Sequence, residues 1–430
     1  MKKGFSISII LAIILFFSCE TNKKSEVTIW DNQPSQVLTE EEVKKEIEKK
    51  IQMLKIFLNQ NNLDGMLFTQ VRNFYWITAG RMNNQIVLNK DIGAASALIM
   101  KDGKKYLICN GSESARLMDE GMKDLGYELL QYNWFESNSG KDVRGDLIKS
   151  VSKGIIGSDI DFPGTINLAD KFKPLRFSLL DTEIKRYKWL GKQTTIAVEE
   201  VCKKIEPGMD EFQIEAITSA ELRARGILPT VLLIAVDERI FNYRHGLPNG
   251  KKLENYAMIN VVAEKWGMPI AVTRFVYFGE MPEELKSKFE KTAIVNSYFQ
   301  QNTIIGKKMS DIFKECKTWY AKVGFENEWQ LHHQGGAIGY DDREYVIYPG
   351  NENVAQVNQA FAWNPTITGA KVEDTFILTE DGFEVVTKTE NWPMYEIILN
   401  GKKYLQPAVL LRDINSGEII KEEIKQITVD

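Results

Sequence analysis

The order of apolar segments predicts an α/β domain over residues 39–178 and an α+β domain over residues 179–392. Short strands alternate with amphipathic helices in the first part. In the second part a helix-helix-strand-strand unit occurs twice, about a hundred residues apart. With 430 residues, the chain is long enough for two cores of ordinary size. We therefore expect two folded domains, with a tether at residues 19–38 and a C-terminal extension at residues 393–430.

The first residues have the pattern of a secretion signal. Two lysines precede the apolar run Gly4–Phe17, which ends at Ser18-Cys19. A run this short is typical of a signal rather than of a membrane span. The pattern resembles a bacterial lipoprotein signal over residues 1–18, which implies that Cys19 becomes the lipidated first residue. We expect a protein of the bacterial cell envelope, lipid-anchored outside the cytoplasm. An uncleaved anchor helix is the alternative, and it also leaves the globular part outside.

Local patterns predict the elements of the first domain. Thr39 and Glu42 form a capping-box pattern, and the helix that follows has one apolar face. Asp102-Gly103 between two apolar runs indicates a hairpin. The residues of the apolar face are Val43, Ile47, Ile51, Leu54 and Leu58. The predicted strands are Gly65–Thr69, Ala95–Met100, Lys105–Cys109 and Gly154–Gly157.

The second domain begins with a long predicted helix, at about Glu183–Lys204, for which Asp181 is the expected cap. A further helix starts at Glu211, and each half of the domain ends in two apolar strands. Helices after Pro282 and Asp311 open the second half. The predicted strands are Tyr256–Val262, Ile270–Tyr277, Gln359–Trp363 and Val372–Leu378. A hairpin is predicted in the extension, from Tyr395–Leu399 and Gly401–Leu405.

Composition excludes several classes of function. The chain has 54 basic and 59 acidic residues, a net charge of -5, and no basic run, so nucleic-acid binding is not expected. No 18-residue apolar span follows the signal, so we expect membrane contact through the lipid only. Cys109, Cys202 and Cys316 are widely spaced and are expected to be buried thiols.

Three segments of the second domain carry motifs, namely Asn260–Phe278, Leu331–Glu344 and Ala360–Thr379. They resemble the signature segments of the pita-bread family, which includes methionine aminopeptidase, Xaa-Pro aminopeptidase, prolidase and creatinase. The stretch Asn73–Arg81 is similar to a segment in the N-terminal domains of creatinase and Xaa-Pro aminopeptidase. The resemblance implies a creatinase-like N-terminal domain, a pita-bread domain, and a homodimer in which the N-terminal domain of one chain closes the partner's site.

The metal ligands of the family are mostly absent from this sequence. In metallopeptidase members two aspartates, one histidine and two glutamates hold two divalent ions. The matching positions here are Asn260, Ala271, Gly336, Asn364 and Glu373. Alanine and glycine offer no ligand atom, and a neutral amide binds a hard dication far less strongly than a carboxylate does. We therefore expect no metal and no cofactor.

The three histidines of the chain all lie in segments that match family motifs. His245, in Tyr243–Pro248, stands where the family carries a substrate-facing histidine. His332 and His333 lie in a stretch that resembles His-x-x-Gly-His-Gly-Ile-Gly. Imidazole titrates near neutrality and suits general acid/base catalysis without a metal, so we expect His245 to relay protons and His332 and His333 to bind substrate. The alternative is that His332 or His333 is a hydrogen-bonded core residue.

Three arginines are candidate substrate ligands. Arg343 stands close to the position at which creatinase carries an arginine that binds the substrate carboxylate. A guanidinium matches a carboxylate with two parallel hydrogen bonds. Arg244 adjoins His245, and Arg274 corresponds to a strand arginine of the family. The alternative for Arg274, which we favour, is a structural ion pair with Glu373, Asp374 or Glu344.

Glu373 is the one retained family ligand, and we expect it to orient His245, Arg274 or a water molecule. Asn364 is a candidate for hydrogen bonding to substrate, and Trp363 is either a pocket wall or a core residue.

Creatinase is the functional precedent that the resemblance offers, because it lacks metal and hydrolyses a C–N bond with a histidine at the position of His245. Its two substrate-binding glutamates correspond to Thr273 and Asn364, so creatine itself is a poor candidate. We hypothesise a metal-independent hydrolase of a small carboxylate-bearing molecule or short peptide. The alternatives are an Xaa-Pro aminopeptidase or prolidase-type metallopeptidase, and a non-catalytic binding protein on a degenerate peptidase fold.

Overall fold

A computed structural model describes residues 37–420 and 424–429 of the chain. The predicted signal, Cys19 and most of the tether lie outside these residues, so the lipid anchor stays a prediction. The helices are α1 Glu40–Gln60, α2 Val71–Ile77, α3 Gly111–Leu117, α4 Val143–Val151, α5 Ala169–Phe172, α6 Asp181–Lys204, α7 Glu211–Ala224, α8 Glu238–Asn242, α9 Glu283–Asn302 and α10 Met309–Lys322. Within the described ranges, every helix is too short or too polar to cross a bilayer.

The strands fall into five sheets. Those of the N-terminal part are β1 Gly65–Gln70, β2 Ile92–Met100, β3 Lys105–Asn110, β4 Glu128–Tyr132, β5 Ile156–Ser158 and β6 Ile166–Asn167. Those of the central part are β7 Leu228–Val236, β8 Tyr256–Lys265, β9 Met268–Phe278, β10 Gly335–Ile338, β11 Tyr345–Val346, β12 Ala360–Trp363, β13 Thr366–Ile367, β14 Ala370–Lys371, β15 Asp374–Thr379 and β16 Gly382–Val385. The C-terminal strands are β17 Met394–Leu399, β18 Lys402–Pro407, β19 Leu410–Arg412 and β20 Lys425–Val429.

The N-terminal part is an α/β unit, as its sequence predicts. Its six-stranded sheet has the order β4-β3-β2-β1-β5-β6, and β2 and β3 pair as the predicted hairpin. The capping box of Thr39 and Glu42 is present at the start of α1. The strand predicted at Gly154–Gly157 begins two residues later, at Ile156. The segment Asn73–Arg81 is largely helical, because it lies in α2 and the turn after it.

The second part contains two main sheets, with the orders β19-β9-β8-β7 and β11-β10-β12-β15-β16. Strands β8 and β9 are apolar and buried over most of their length, which fits central strands covered on both faces. Helices α6 and α7 pack on the first sheet, and α9 packs against α10. The two-fold order of helices and strands predicted from the sequence is therefore confirmed.

Two boundary predictions for this part were wrong. Asp181 is the first helical residue of α6 rather than its cap, since the cap position is Leu180, whose N–H donates to the Glu183 carboxylate at 2.8 Å. The strand predicted at Val372–Leu378 begins at Asp374, because the chain before it turns through the separate two-stranded β13–β14 hairpin.

The C-terminal extension is partly integrated into the second domain. β17 and β18 form the predicted antiparallel hairpin. β19 pairs in parallel with the end of β9, so residues 410–412 complete the sheet that carries Asn260 and Thr273. The three cysteines in the described ranges are free and buried, as predicted.

Buried ion pairs join the N-terminal part to the loop that carries Arg343. Arg176 binds both oxygens of Glu344 at 3.1 Å. Lys50 of α1 lies 2.7 Å from Glu183 and donates to the hydroxyl of Tyr340 at 3.3 Å. Because these groups are almost fully buried, the loop from Tyr340 to Glu344 is fixed at both ends.

Candidate active site

The candidate site lies where the two main sheets of the second domain meet. Thr273 N–H in β9 donates to the carbonyl oxygen of Glu373 at 3.1 Å, just before β15 begins. Asn260 in β8 is the cross-strand partner of Thr273, so the two side chains lie on one face of the sheet. The fold thereby brings Asn260, Thr273 and Glu373 together, although they are far apart in the sequence.

Glu373 is the centre of this polar cluster. Its Oε2 accepts hydrogen bonds from Asn260 Nδ2 at 2.6 Å and from Thr273 Oγ1 at 2.7 Å. Lys371 Nζ lies 3.0 Å from the same oxygen, and Arg343 Nη2 lies 3.4 Å from Oε1. In the described ranges these bonds go to neither His245 nor Arg274, so of the three expected roles for Glu373 the orientation of a water molecule stays a prediction.

The charges of the cluster control its protonation. Burial raises the pKa of Glu373, but the cations of Lys371 and Arg343 outweigh burial and hold this pKa below its usual value. Burial lowers the pKa of the Lys371 ammonium, and the Glu373 carboxylate offsets part of this effect. The carboxylate is therefore ionised and neutralised by residues of its own chain.

Lys371 is the site residue that the sequence analysis missed. It is 6% exposed and lies two positions before Glu373. Residues two apart in an extended segment point to the same side, so the Lys-x-Glu spacing next to the retained glutamate was the available signal. A lysine is rarely buried unless it is paired, and here the pairing is with the family's retained ligand.

The three histidines lie together in a cluster of imidazole rings. Nε2 of His245 lies 3.0 Å from Nε2 of His332, so one ring donates to the other. A ring nitrogen from each of the three residues lies within 4.8 Å of the others. His333 Nδ1 accepts a hydrogen bond from Gly335 N–H at 3.2 Å, and Nδ1 of His332 is buried without a partner in the described ranges. His332 is buried, whereas His245 and His333 are exposed.

The rings of this cluster are neutral at physiological pH. The surrounding protein and the charge of Lys371 lower the pKa of His245 and, more strongly, that of His332. The same desolvation, with the charge of Arg343, lowers the pKa of His333 to about 4. A neutral imidazole can accept a proton, so the cluster is suited to act as a base.

Arg343 has an unused donor. Its Nη1 donates to the carbonyl oxygen of Asp342 at 2.7 Å, and its Nη2 faces Glu373. Nε of Arg343 is buried, and no described residue accepts from it. Asn364 presents the complementary feature, because its Oδ1 is buried and no described residue donates to it. A buried polar atom without a partner is costly, and a bound ligand with matching groups would satisfy both atoms.

The other predicted site residues have structural partners. Arg274 is 2% exposed and binds Asp374 at 3.0 Å and the carbonyl oxygen of Thr387 at 2.8 Å, contacts that fit the structural ion pair. Arg244 binds Glu328 at 2.6 Å and the hydroxyl of Thr368 at 2.8 Å. Trp363 packs between Phe299 and Phe361 and donates to Thr303, so it is a core residue and not a pocket wall.

The residues at the family's metal positions do not fit a pair of divalent ions. A Cβ atom at Gly336 would lie 2.1 Å from the carbonyl oxygen of Tyr345, so this backbone leaves no space for a ligand side chain there. Asn260 directs its amide N–H groups at Glu373 and Thr273. Glu373 is the single carboxylate of the set, and Lys371 and Arg343 already neutralise it.

Comparisons with known proteins agree with this architecture. The sequence profile of metallopeptidase family M24 matches residues 185–380. An uncharacterized peptidase of Staphylococcus aureus (strain MW2) is 23% identical over 359 residues, which cover 77% of this chain and 97% of the relative.

Solved structures extend the similarity to both domains. A prolidase of Thermococcus sibiricus superposes with a TM-score of 0.66 at 17% identity, covering 80% of this chain and 97% of that chain. A prolidase of Pyrococcus horikoshii OT3 gives 0.65 at 17% identity, covering 80% and 99%. Dipeptidase PepE of Mycobacterium ulcerans gives 0.65 at 15% identity, covering 80% and 96%. Residues 185–380 therefore match metallopeptidase family M24, and the chain has the pita-bread fold of these prolidases.

Proposed function

We propose that this protein is a metal-independent hydrolase that cleaves a C–N bond in a small carboxylate-bearing amide, amidine or peptide-like substrate. One observation carries the proposal. The single carboxylate left at the family's ligand positions, Glu373, is bound by Lys371 at 3.0 Å and by Arg343 at 3.4 Å, beside three neutral imidazoles. In metallopeptidase relatives, bound metal ions supply the positive charge at this position. In this chain Lys371 and Arg343 supply it.

Substrate binding is assigned to Arg343 and Asn364. The free Nε–H of Arg343 donates to a substrate carboxylate, and the free Oδ1 of Asn364 accepts from a substrate N–H. An ionised donor makes a stronger hydrogen bond than a neutral one, particularly away from water. Glu373 and Lys371 hold the polar side of the pocket and keep the guanidinium in place.

His245 is assigned the proton transfer. Its exposed ring takes a proton from a water molecule as the water oxygen attacks the substrate carbon. The ring then gives this proton to the leaving nitrogen as the C–N bond breaks, so one water is consumed and two products form. His332, 3.0 Å away, accepts from or donates to His245 and fixes the orientation of its ring.

The experiment is a hydrolysis panel of N-acyl amino acids, Xaa-Pro dipeptides and carboxylated amidines, with and without a chelator. The proposal expects turnover of at least one compound, unchanged by the chelator and lost in His245→Asn. The matched control is Arg223→Gln, which removes an exposed guanidinium at the end of α7. Turnover that the chelator abolishes favours a prolidase-type metallopeptidase. Tight binding without turnover across the panel favours a non-catalytic binding protein.

Two further parts of the proposal concern the whole assembly. We propose a homodimer in which the N-terminal domain closes the partner's site, and a lipid on Cys19 that holds the protein at the cell envelope. Light scattering of the purified protein tests the first, and mass analysis of the N-terminal peptide tests the second.

A further inference from the structure

We propose that His245, His332 and His333 form a site for one borderline transition-metal ion, such as Zn²⁺, Co²⁺ or Ni²⁺, distinct from the family's carboxylate cage. The three rings already lie close enough together to share one ion, whether or not the protein is a hydrolase. Imidazole nitrogen is a preferred ligand of these ions, and three histidines with one open position are a known zinc arrangement.

The distances are close to those that such an ion requires. Tetrahedral bonds of about 2.0–2.1 Å separate neighbouring ligand nitrogens by about 3.3 Å. The Nε2 atoms of His245 and His332 lie 3.0 Å apart, and no pair in the cluster exceeds 4.8 Å. His245 and His333 have exposed side chains, so rotation of these side chains can close the remaining gap.

A metal ligand must be unprotonated at the nitrogen that binds the ion, so the ring of the His245–His332 pair that donates its Nε2 proton changes tautomer when an ion binds. His333 requires one rearrangement. Its Nδ1 accepts from Gly335, so binding through Nε2 moves the ring proton to Nδ1 and removes that 3.2 Å hydrogen bond. We therefore expect the ion to be exchangeable rather than permanently held.

The surrounding charges predict what fills the open position. Lys371, Arg343 and Arg244 supply three cations near the cluster, and Glu373 and Glu328 supply two carboxylates. The remaining positive charge disfavours a second metal and favours an anionic fourth ligand, either hydroxide or a carboxylate. An ion bound to His245 also occupies the lone pair that the proposed proton transfer uses, so added metal is expected to inhibit hydrolysis.

The test is a Co²⁺ titration of the full-length protein, purified without a histidine tag and followed by absorption spectroscopy. The chain has three histidines in total, so all imidazole ligation comes from this cluster. We expect one Co²⁺ per chain, with visible d–d absorption of a four- or five-coordinate ion and without the near-ultraviolet band of thiolate ligation. His245→Asn and His333→Asn, which change exposed rings, are each expected to weaken binding by at least about tenfold.

The control is Tyr243→Phe, which changes an exposed aromatic side chain of the same loop and keeps the three imidazoles. It is expected to bind Co²⁺ as the unmodified protein does. Absence of binding, a thiolate band, or affinity that is unchanged in both histidine variants overturns the proposal. None of these readouts uses turnover, so failure of this site is distinguishable from failure of the proposed hydrolysis.

Discussion

Lys371 Nζ lies 3.0 Å from Oε2 of Glu373, and both side chains are almost fully buried. The pair occupies the one ligand position that the chain keeps from its metallopeptidase relatives. A buried charge without a partner is strongly destabilising, whereas a pair that is replaced as a whole often is not. The pair therefore gives a direct prediction about stability.

We expect Lys371→Met to lower the free energy of unfolding by about 3–5 kcal/mol, because the buried Glu373 carboxylate then keeps its neutral hydrogen-bond donors and, among the described residues, only the more distant cation of Arg343. The double variant Lys371→Met with Glu373→Gln removes both charges and is expected to recover much of this loss. Denaturant unfolding measures both. Equal losses in the single and double variants would contradict the pairing.

Arg343→Gln is expected to weaken substrate use without a comparable loss of stability. The variant removes the charged donor assigned to the substrate carboxylate, and hydrogen bonds to charged groups contribute about 1.5–3 kcal/mol, roughly tenfold to a hundredfold in kcat/KM. Steady-state kinetics on the compound found in the panel measures the effect. A compound of the same shape without the carboxylate serves as the control, and it should be hydrolysed equally by both proteins.

The histidines predict a pH effect on stability. In the unfolded chain their pKa is near 6.5, and in the folded chain it is lower, to about 4 for His333. Between these values the unfolded state binds more protons, so the free energy of unfolding rises with pH and falls as the pH drops from about 6.5 toward about 4.

Two measurements check this expectation. Imidazole NMR titration should show all three rings neutral at pH values at which free histidine is protonated. His333→Asn should reduce the pH slope of stability in the same window. A slope that is unchanged in this variant, or rings that titrate at the ordinary value, would show that folding does not lower these pKa values.

The contact between Arg176 and Glu344 predicts coupling between the two domains. Arg176→Met leaves the buried Glu344 carboxylate without its bidentate partner, and we expect a loss of about 3–5 kcal/mol in the free energy of unfolding. Arg223→Met changes an exposed guanidinium and should stay within about 0.5 kcal/mol of the unmodified protein. Because Glu344 ends the loop of Arg343, Arg176→Met should also raise KM. Intact stability in this variant would show that the ion pair does not hold the loop.

The sequence was sufficient to predict most of the architecture. Strands β8 and β9 were visible as long apolar runs, and the capping box of Thr39 marked the start of α1 within one residue. The start of β15 was missed, since the apolar pattern continues through Val372 while the backbone turns. The cap of α6 was misassigned because a side-chain acceptor at Glu183 satisfies the free N–H of Leu180, which has no polar side chain of its own.

The site was predicted less completely than the fold. The family motifs identified the histidines, Arg343 and Glu373 as candidate site residues, because each of them lies at or near its position in a motif. They did not show that Lys371 pairs with Glu373, nor that the three imidazole rings meet, since both depend on how separate strands and loops come together. Arg274 matched a family position equally well, yet its donors are used by Asp374 and Thr387 inside the core.

We propose that imidazole and guanidinium groups replace bound ions in catalysis. The decisive measurement is turnover of the chelator-treated protein, with the metal content measured on the same sample. We expect an unchanged rate at substoichiometric metal. Loss of turnover on chelation, restored by two equivalents of zinc, manganese or cobalt per chain, would contradict it.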